Sequence, residues 1–223
     1  MSESVIHHSP IHSWLEVRNP HWTVSRGMAV ALHFGAPDRE EQSLQSLALC
    51  DQSATPKLSV KGPGAAAWLE QQGLTVPSTV YAAQRLDHGS RLFRLGADEF
   101  LVQGSLDDEL TDRLFRAQDT ELHDVYCLQR QDATFLLAGT RAVQVLSQTC
   151  GLDLLETPRE HLVFTRVAGV SCAVFANSHQ DCPTFQIGVD PSLGLALWTS
   201  LVQIVEDLEG TVVGLGCLYP ELQ

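Results

Sequence analysis

The sequence is poor in basic residues, in methionine and in aromatics. Of 223 residues only 14 are Lys or Arg against 27 Asp or Glu, a formal net charge of -13. Phosphate backbones and anionic membranes are held by clustered Lys and Arg. The few here are scattered, which argues against nucleic-acid binding. No apolar run approaches the roughly 18 residues needed to cross a bilayer, so no membrane partner is expected. The opening stretch, Met1 to Trp14, has neither the basic start nor the apolar segment of a secretory signal. The six cysteines, at 50, 127, 150, 172, 182 and 217, are too sparse for a disulfide scaffold and form no C-x-x-C zinc pair. Most have apolar flanks, as in Ser171-Cys172-Ala173-Val174, which predicts small buried hydrophobes in a reducing, cytoplasmic setting. No His or Arg adjoins them to lower a thiol pKa, so none reads as a nucleophile. G-x-S-x-G, P-loop and G-x-G-x-x-G spacings are missing, and Gly62-Pro63-Gly64 has no lysine to hold a phosphate.

What is present is patterned. Residues 1–45 carry Pro10, Pro20 and Pro37, the acidic-polar stretch Asp38 to Gln42, and little periodicity beyond Met28 to Leu32. An extended N-terminal arm or peripheral strand is expected there. His7, His8, His12 and His21 lack an acidic or Cys partner at ligand spacing, so they read as a solvated tail and no metal site is expected.

From residue 46 a phrase appears twice. Leu58-Ser59-Val60-Lys61 alternates as a half-buried strand, Gly62 breaks it, and Ala65 to Gln72 follows as a short helix closed by Gly73. With a shift of 77 residues, Phe135 to Ala138 is the strand, Gly139 the break and Arg141 to Leu146 the helix. Gly62 then matches Gly139, Ala65 matches Ala142 and Leu69 matches Leu146, which predicts an internal strand-Gly-helix duplication. Each copy continues into a hairpin and an amphipathic helix. In the first, Leu92 to Leu95 and Phe100 to Val102 flank Gly96 to Glu99, and Ser105 is expected to cap a helix with Leu106, Leu110, Leu114 and Phe115 on its apolar face. In the second, Val163 to Val167 and Val170 to Phe175 flank Ala168-Gly169, Phe185-Gln186-Ile187 adds a strand, and Asp190-Pro191 opens the longest helix, stopped by Gly210. The order strand, helix, hairpin, helix occurs twice. This predicts an α+β fold with mainly antiparallel sheets, halves at 46–120 and 121–223, and one compact unit.

These segments carry a resemblance. Cys50-Asp51-Gln52-Ser53 followed by Val60 to Leu69 resembles the glycine-cleavage T-protein pattern of Asp-x-Ser, strand, Gly-Pro-x-Ala and helix. Arg94 to Leu101 is similar to the Leu-Gly-Pro-Asp-Glu-Trp-Leu segment of sarcosine oxidase gamma subunits. Asp124-Val125, Phe135 to Gly139, Gly151 to Leu154, Phe164 to Val170, Phe185 to Ile187 and Leu195 to Trp198 continue in that register. The resemblance implies a T-protein-like, folate-binding fold of two similar halves, and a role in folate-dependent one-carbon or methylamine metabolism. Tetrahydrofolate is the cofactor that T-proteins hold.

The resemblance also points to positions where chemistry would sit. T-proteins carry an Asp-Asp pair before the strand that here is Leu92 to Leu95; the matching positions hold His88 and Gly89, with Asp87 one residue earlier. Their Gly-Tyr-Thr-Gly-Glu-x-Gly-Phe-Glu run, aligned on Phe185-Gln186-Ile187, puts Cys182 at the Glu that meets the pterin. A carboxylate accepts two N–H donors from an aminopterin edge and a thiol does not. The implied reading is a non-catalytic subunit, self-paired or bound to a larger oxidase-type partner, with no cofactor of its own. The alternative is a tetrahydrofolate-dependent aminomethyltransferase in which Asp87 and His88 act as displaced catalytic groups and Asp181, Cys182 and Phe185 line the cofactor site. Asp87-His88-Gly89 also reads simply as a polar turn. Trp14 and Trp22, with Met28 to Leu32, are candidate partner anchors, because no acidic residue occurs from Val17 to Pro37; a cap on this chain's own core is equally open for the tryptophans.

Overall fold

The computed structural model describes residues 6–118, 124–158, 160–179 and 182–222. Its strands are β1 (His7–His8), β2 (His21–Ser25), β3 (Met28–His33), β4 (Ala48–Asp51), β5 (Lys57–Lys61), β6 (Ala83–Arg85), β7 (Arg91–Arg94), β8 (Glu99–Gln103), β9 (Tyr126–Arg130), β10 (Ala133–Ala138), β11 (Leu162–Val167), β12 (Val170–His179), β13 (Cys182–Val189) and β14 (Thr211–Val213). Its helices are α1 (His12–Glu16), α2 (Pro37–Ser46), α3 (Ala65–Gln71), α4 (Leu110–Ala117), α5 (Ala142–Thr149) and α6 (Pro191–Asp207). The fold is α+β, and most strand pairs are antiparallel.

Contacts divide the chain into two units. The first takes the described residues of Met1–Ala54, Asp132–Arg159 and Val163–Gln223; the second takes those of Thr55–Gln131 and Glu160–Leu162. In the first unit six strands run in the order β11-β12-β13-β10-β4-β14, and three more run β1-β3-β2. Leu49, Phe135, Leu137, Phe185 and Ile187 from the larger sheet meet Ala142, Val145 and Leu146 of α5 and Leu197, Trp198, Leu201 and Val205 of α6 in one buried cluster. In the second unit the order is β6-β7-β8-β5-β9, and Leu58, Val60, Phe100 and Val102 are buried with Trp68 and Leu69 of α3 and Leu114 of α4. A buried side chain of this size contributes about 1.5–3 kcal/mol, so each cluster is the main stabilising element of its unit.

The duplicated phrase has the same geometry in both units. Gly62 and Gly139 end β5 and β10 at φ +119° and +109°, and the alanine three residues on, Ala65 or Ala142, is fully buried. The preceding strands exchange partners. β4 pairs with β10, whose paired residues lie 84–90 positions later, and β9 pairs with β5. By contacts the units meet at 54/55 and 131/132, with the short segment Glu160–Leu162 also in the second unit.

Three expectations need correction. Residues 6–45 are more than an extended arm or a peripheral strand: α1, β2, β3 and most of α2 lie there, and Ile11 and Leu15 are in the core at 0% and 2% exposure. The reason is apolar spacing over residues 11–15 too short to show as a period. The helix expected from Ser105 starts at Leu110, with Glu109 at its N-cap; just before it Asp108 accepts the Ser90 hydroxyl at 2.7 Å and the Leu110 N–H at 2.9 Å, which holds this segment out of the helix. Phe115, placed on the apolar face, is 41% exposed. Elsewhere the longest helix starts as read, with Asp190 accepting the Ser192 N–H at 2.9 Å.

Candidate functional site

Asp87 and His88 sit in the β6–β7 turn of the second unit. The turn closes through Leu86 N–H to Ser90 C=O at 2.9 Å and Ser90 N–H to Asp87 C=O at 3.1 Å. His88 takes φ +54°, a left-handed conformation that a histidine adopts more readily than a branched residue. Ser90, 1% exposed, anchors the turn: its hydroxyl donates to Asp108 and accepts the Ser105 N–H at 3.1 Å. Both Asp87 and His88 are exposed and line an open cleft of about 800 Å³ whose other walls include Gln72, Thr75, Arg113 and Arg116. Asp107 is held below the usual carboxylate range, first by the Ser105 hydroxyl and in smaller part by His88. Proton transfer to a ligand in this cleft is open to these side chains; nothing in the cleft resembles an activated nucleophile.

Cys182 and Phe185 lie in the first unit, on β13. The Cys182 thiol donates to Gln45 Oε1 at 2.7 Å, and Cys182 is 9% exposed. Phe185, 1% exposed, is set opposite Leu137 and Ala176 in the core. Asp181 is outside the described residues. The candidate residues thus fall into two groups, one in each unit.

The Asp-x-Ser motif is a clamp on the backbone. Asp51 Oδ1 accepts the Ser53 N–H at 3.0 Å and its hydroxyl at 2.6 Å, while Oδ2 accepts the Ser9 hydroxyl at 2.5 Å. Ser53 Oγ accepts the Thr134 N–H at 3.1 Å, so the motif fastens the end of β4 to β10.

Sequence reasoning missed Glu40. It is 7% exposed and accepts N–H groups from Phe34 at 2.7 Å, Gly35 at 2.9 Å and Gly214 at 2.7 Å. One buried carboxylate thereby joins the start of α2 to the chain after β14. The signal was its place in the first turn behind Pro37, hidden in a run that read as solvated polar surface.

The histidines at 7, 8, 12 and 21 lie on β1, α1 and β2 and not in a tail, while His7, His8 and His21 are solvent-exposed as read. His8 stacks on His12 with ring centres 3.9 Å apart, His12 lies 4.7 Å from Trp22, and His21 stacks on His33 at 4.2 Å. Burial, then the neighbouring His8, lowers the His12 pKa. No group of three or more metal-binding side chains occurs among the described residues. Trp14 packs edge-on against Trp198 at 5.3 Å with the Arg18 guanidinium 3.2 Å over its ring, so it caps this chain's own core. Trp22 is 38% exposed.

All six cysteines are free, and five are buried. Burial pushes the thiols of Cys127 and Cys172 up to about 11 and, with Glu40 adding to it, that of Cys217 to about 12. Cys50 is raised well above the ordinary range, first by burial and then by Asp51. These four are not thiolates near neutral pH. No helix among the described residues is long and apolar enough to cross a membrane.

No protein-family model and no curated protein matches the sequence. Solved structures do match the fold. Glycine cleavage system aminomethyltransferase T from Bartonella henselae superposes with a TM-score of 0.73 at 16% identity, over 95% of this chain and 60% of that one. A chain of the heterotetrameric sarcosine oxidase from Corynebacterium sp. U-96, solved with pyrrole 2-carboxylate, superposes with a TM-score of 0.61 at 20% identity, over 78% of this chain and 93% of that one. The chain has the fold these proteins share. It spans about three fifths of the aminomethyltransferase.

Proposed function

We propose that this chain is a non-catalytic subunit built on the aminomethyltransferase fold, assembled with itself or with a larger oxidase-type partner of one-carbon or methylamine metabolism. The observation that carries the reading is Cys182. Where the resemblance calls for a carboxylate facing a pterin, this chain has a thiol, and that thiol is tied to Gln45 at 2.7 Å. The other carboxylate position holds His88, in an exposed turn. The likeness to a chain of a heterotetrameric oxidase supports a subunit role. A cytoplasmic site of action goes with this reading.

The test is a calorimetric titration of the purified chain with folinic acid, together with an assay for aminomethyl transfer. The expected result is no dissociation constant below about 10 μM, near -7 kcal/mol, and no turnover. Tighter binding or turnover would sink the proposal. In that event Cys182→Glu should bind more tightly still if the pocket geometry survives.

A second reading rests on the cleft. Asp87 and His88 line it side by side, and an adjacent carboxylate and imidazole suit general acid–base work. If the chain is a displaced aminomethyltransferase, Asp87→Asn and His88→Ala each abolish turnover while leaving the thermal transition in place.

A further inference from the structure

We draw no further inference here: the strongest candidate, the open cleft between α4 and the β6–β7 turn of the second unit, belongs to the site already described, and its Arg113 and Arg116 each follow a carboxylate, Glu109 and Asp112, by one helical turn and so mark no ligand.

Discussion

A β-carbon placed on Gly139 would lie 2.3 Å from the carbonyl oxygen of Ser46. The Arg141 N–H bonds that same oxygen at 3.0 Å, so the approach is fixed by a hydrogen bond and has no room to relax. The first repeat reproduces the arrangement: a β-carbon on Gly62 would stand 2.2 Å from the Asp124 oxygen, which the Gly64 N–H bonds at 3.0 Å. Gly139→Ala is therefore expected to destabilise by about 3 kcal/mol or more, combining a backbone clash with left-handed strain. Gly169→Ala, at φ +80° with nothing within 4 Å, should lose only about 1 kcal/mol. Urea unfolding of the two variants checks the difference, and equal losses would count against the close approach.

Two oxygens of Glu40 satisfy three backbone N–H groups, and Glu40→Ala leaves all three donors without their acceptor at once. An N–H left without its charged acceptor in a buried setting costs about 1–3 kcal/mol, so the expected loss is about 3–5 kcal/mol. Glu40→Gln keeps one oxygen but turns an amide toward a donor, and should fall between. If Glu40→Ala unfolds at the wild-type urea midpoint, the carboxylate is not the clamp described.

The exchanged strands predict how fragments behave. A piece ending at residue 120 contains β4 without its partners β10 and β14, because these lie later in the chain, and β5 without β9. Such unpaired edges associate. The expressed 1–120 fragment should aggregate or stay molten, in keeping with the proposal that the two halves fold as one unit. A monomeric fragment with a cooperative thermal transition would contradict it.

His12 gives stability a pH dependence of defined sign. Its folded pKa is lowered from 6.5, first by burial and then by His8. Protonation therefore favours the unfolded chain. The contribution is complete above the ordinary value and is lost as pH falls below it. His12→Phe keeps a ring beside His8 and Trp22 and removes the titration. The stability difference between wild type and His12→Phe should shift in favour of the variant from about pH 7 to about pH 5. A difference that is flat over this interval would show that His12 does not titrate with folding.

Much of the fold was determined by the sequence itself. The 77-residue shift relating Gly62 to Gly139, the Asp190-Pro191 start of α6 and the Ala168-Gly169 turn are local, since backbone freedom, capping and period act within a few residues. Only tertiary structure decided which partners those elements take. Nothing local tells β4 to bond a strand 84–90 residues later, or makes Glu40 the acceptor for an N–H 174 positions away. It also decided that the histidines at 8 and 12, and at 21 and 33, meet as stacked rings. The candidate site divides the same way. Residue identity at 87, 88 and 182 was legible, because carboxylate, imidazole and thiol differ in what they accept and donate. That Asp87 and His88 border a cleft, and that the Cys182 thiol is held by Gln45, follows from contacts between segments distant in sequence, which periodicity and spacing do not encode.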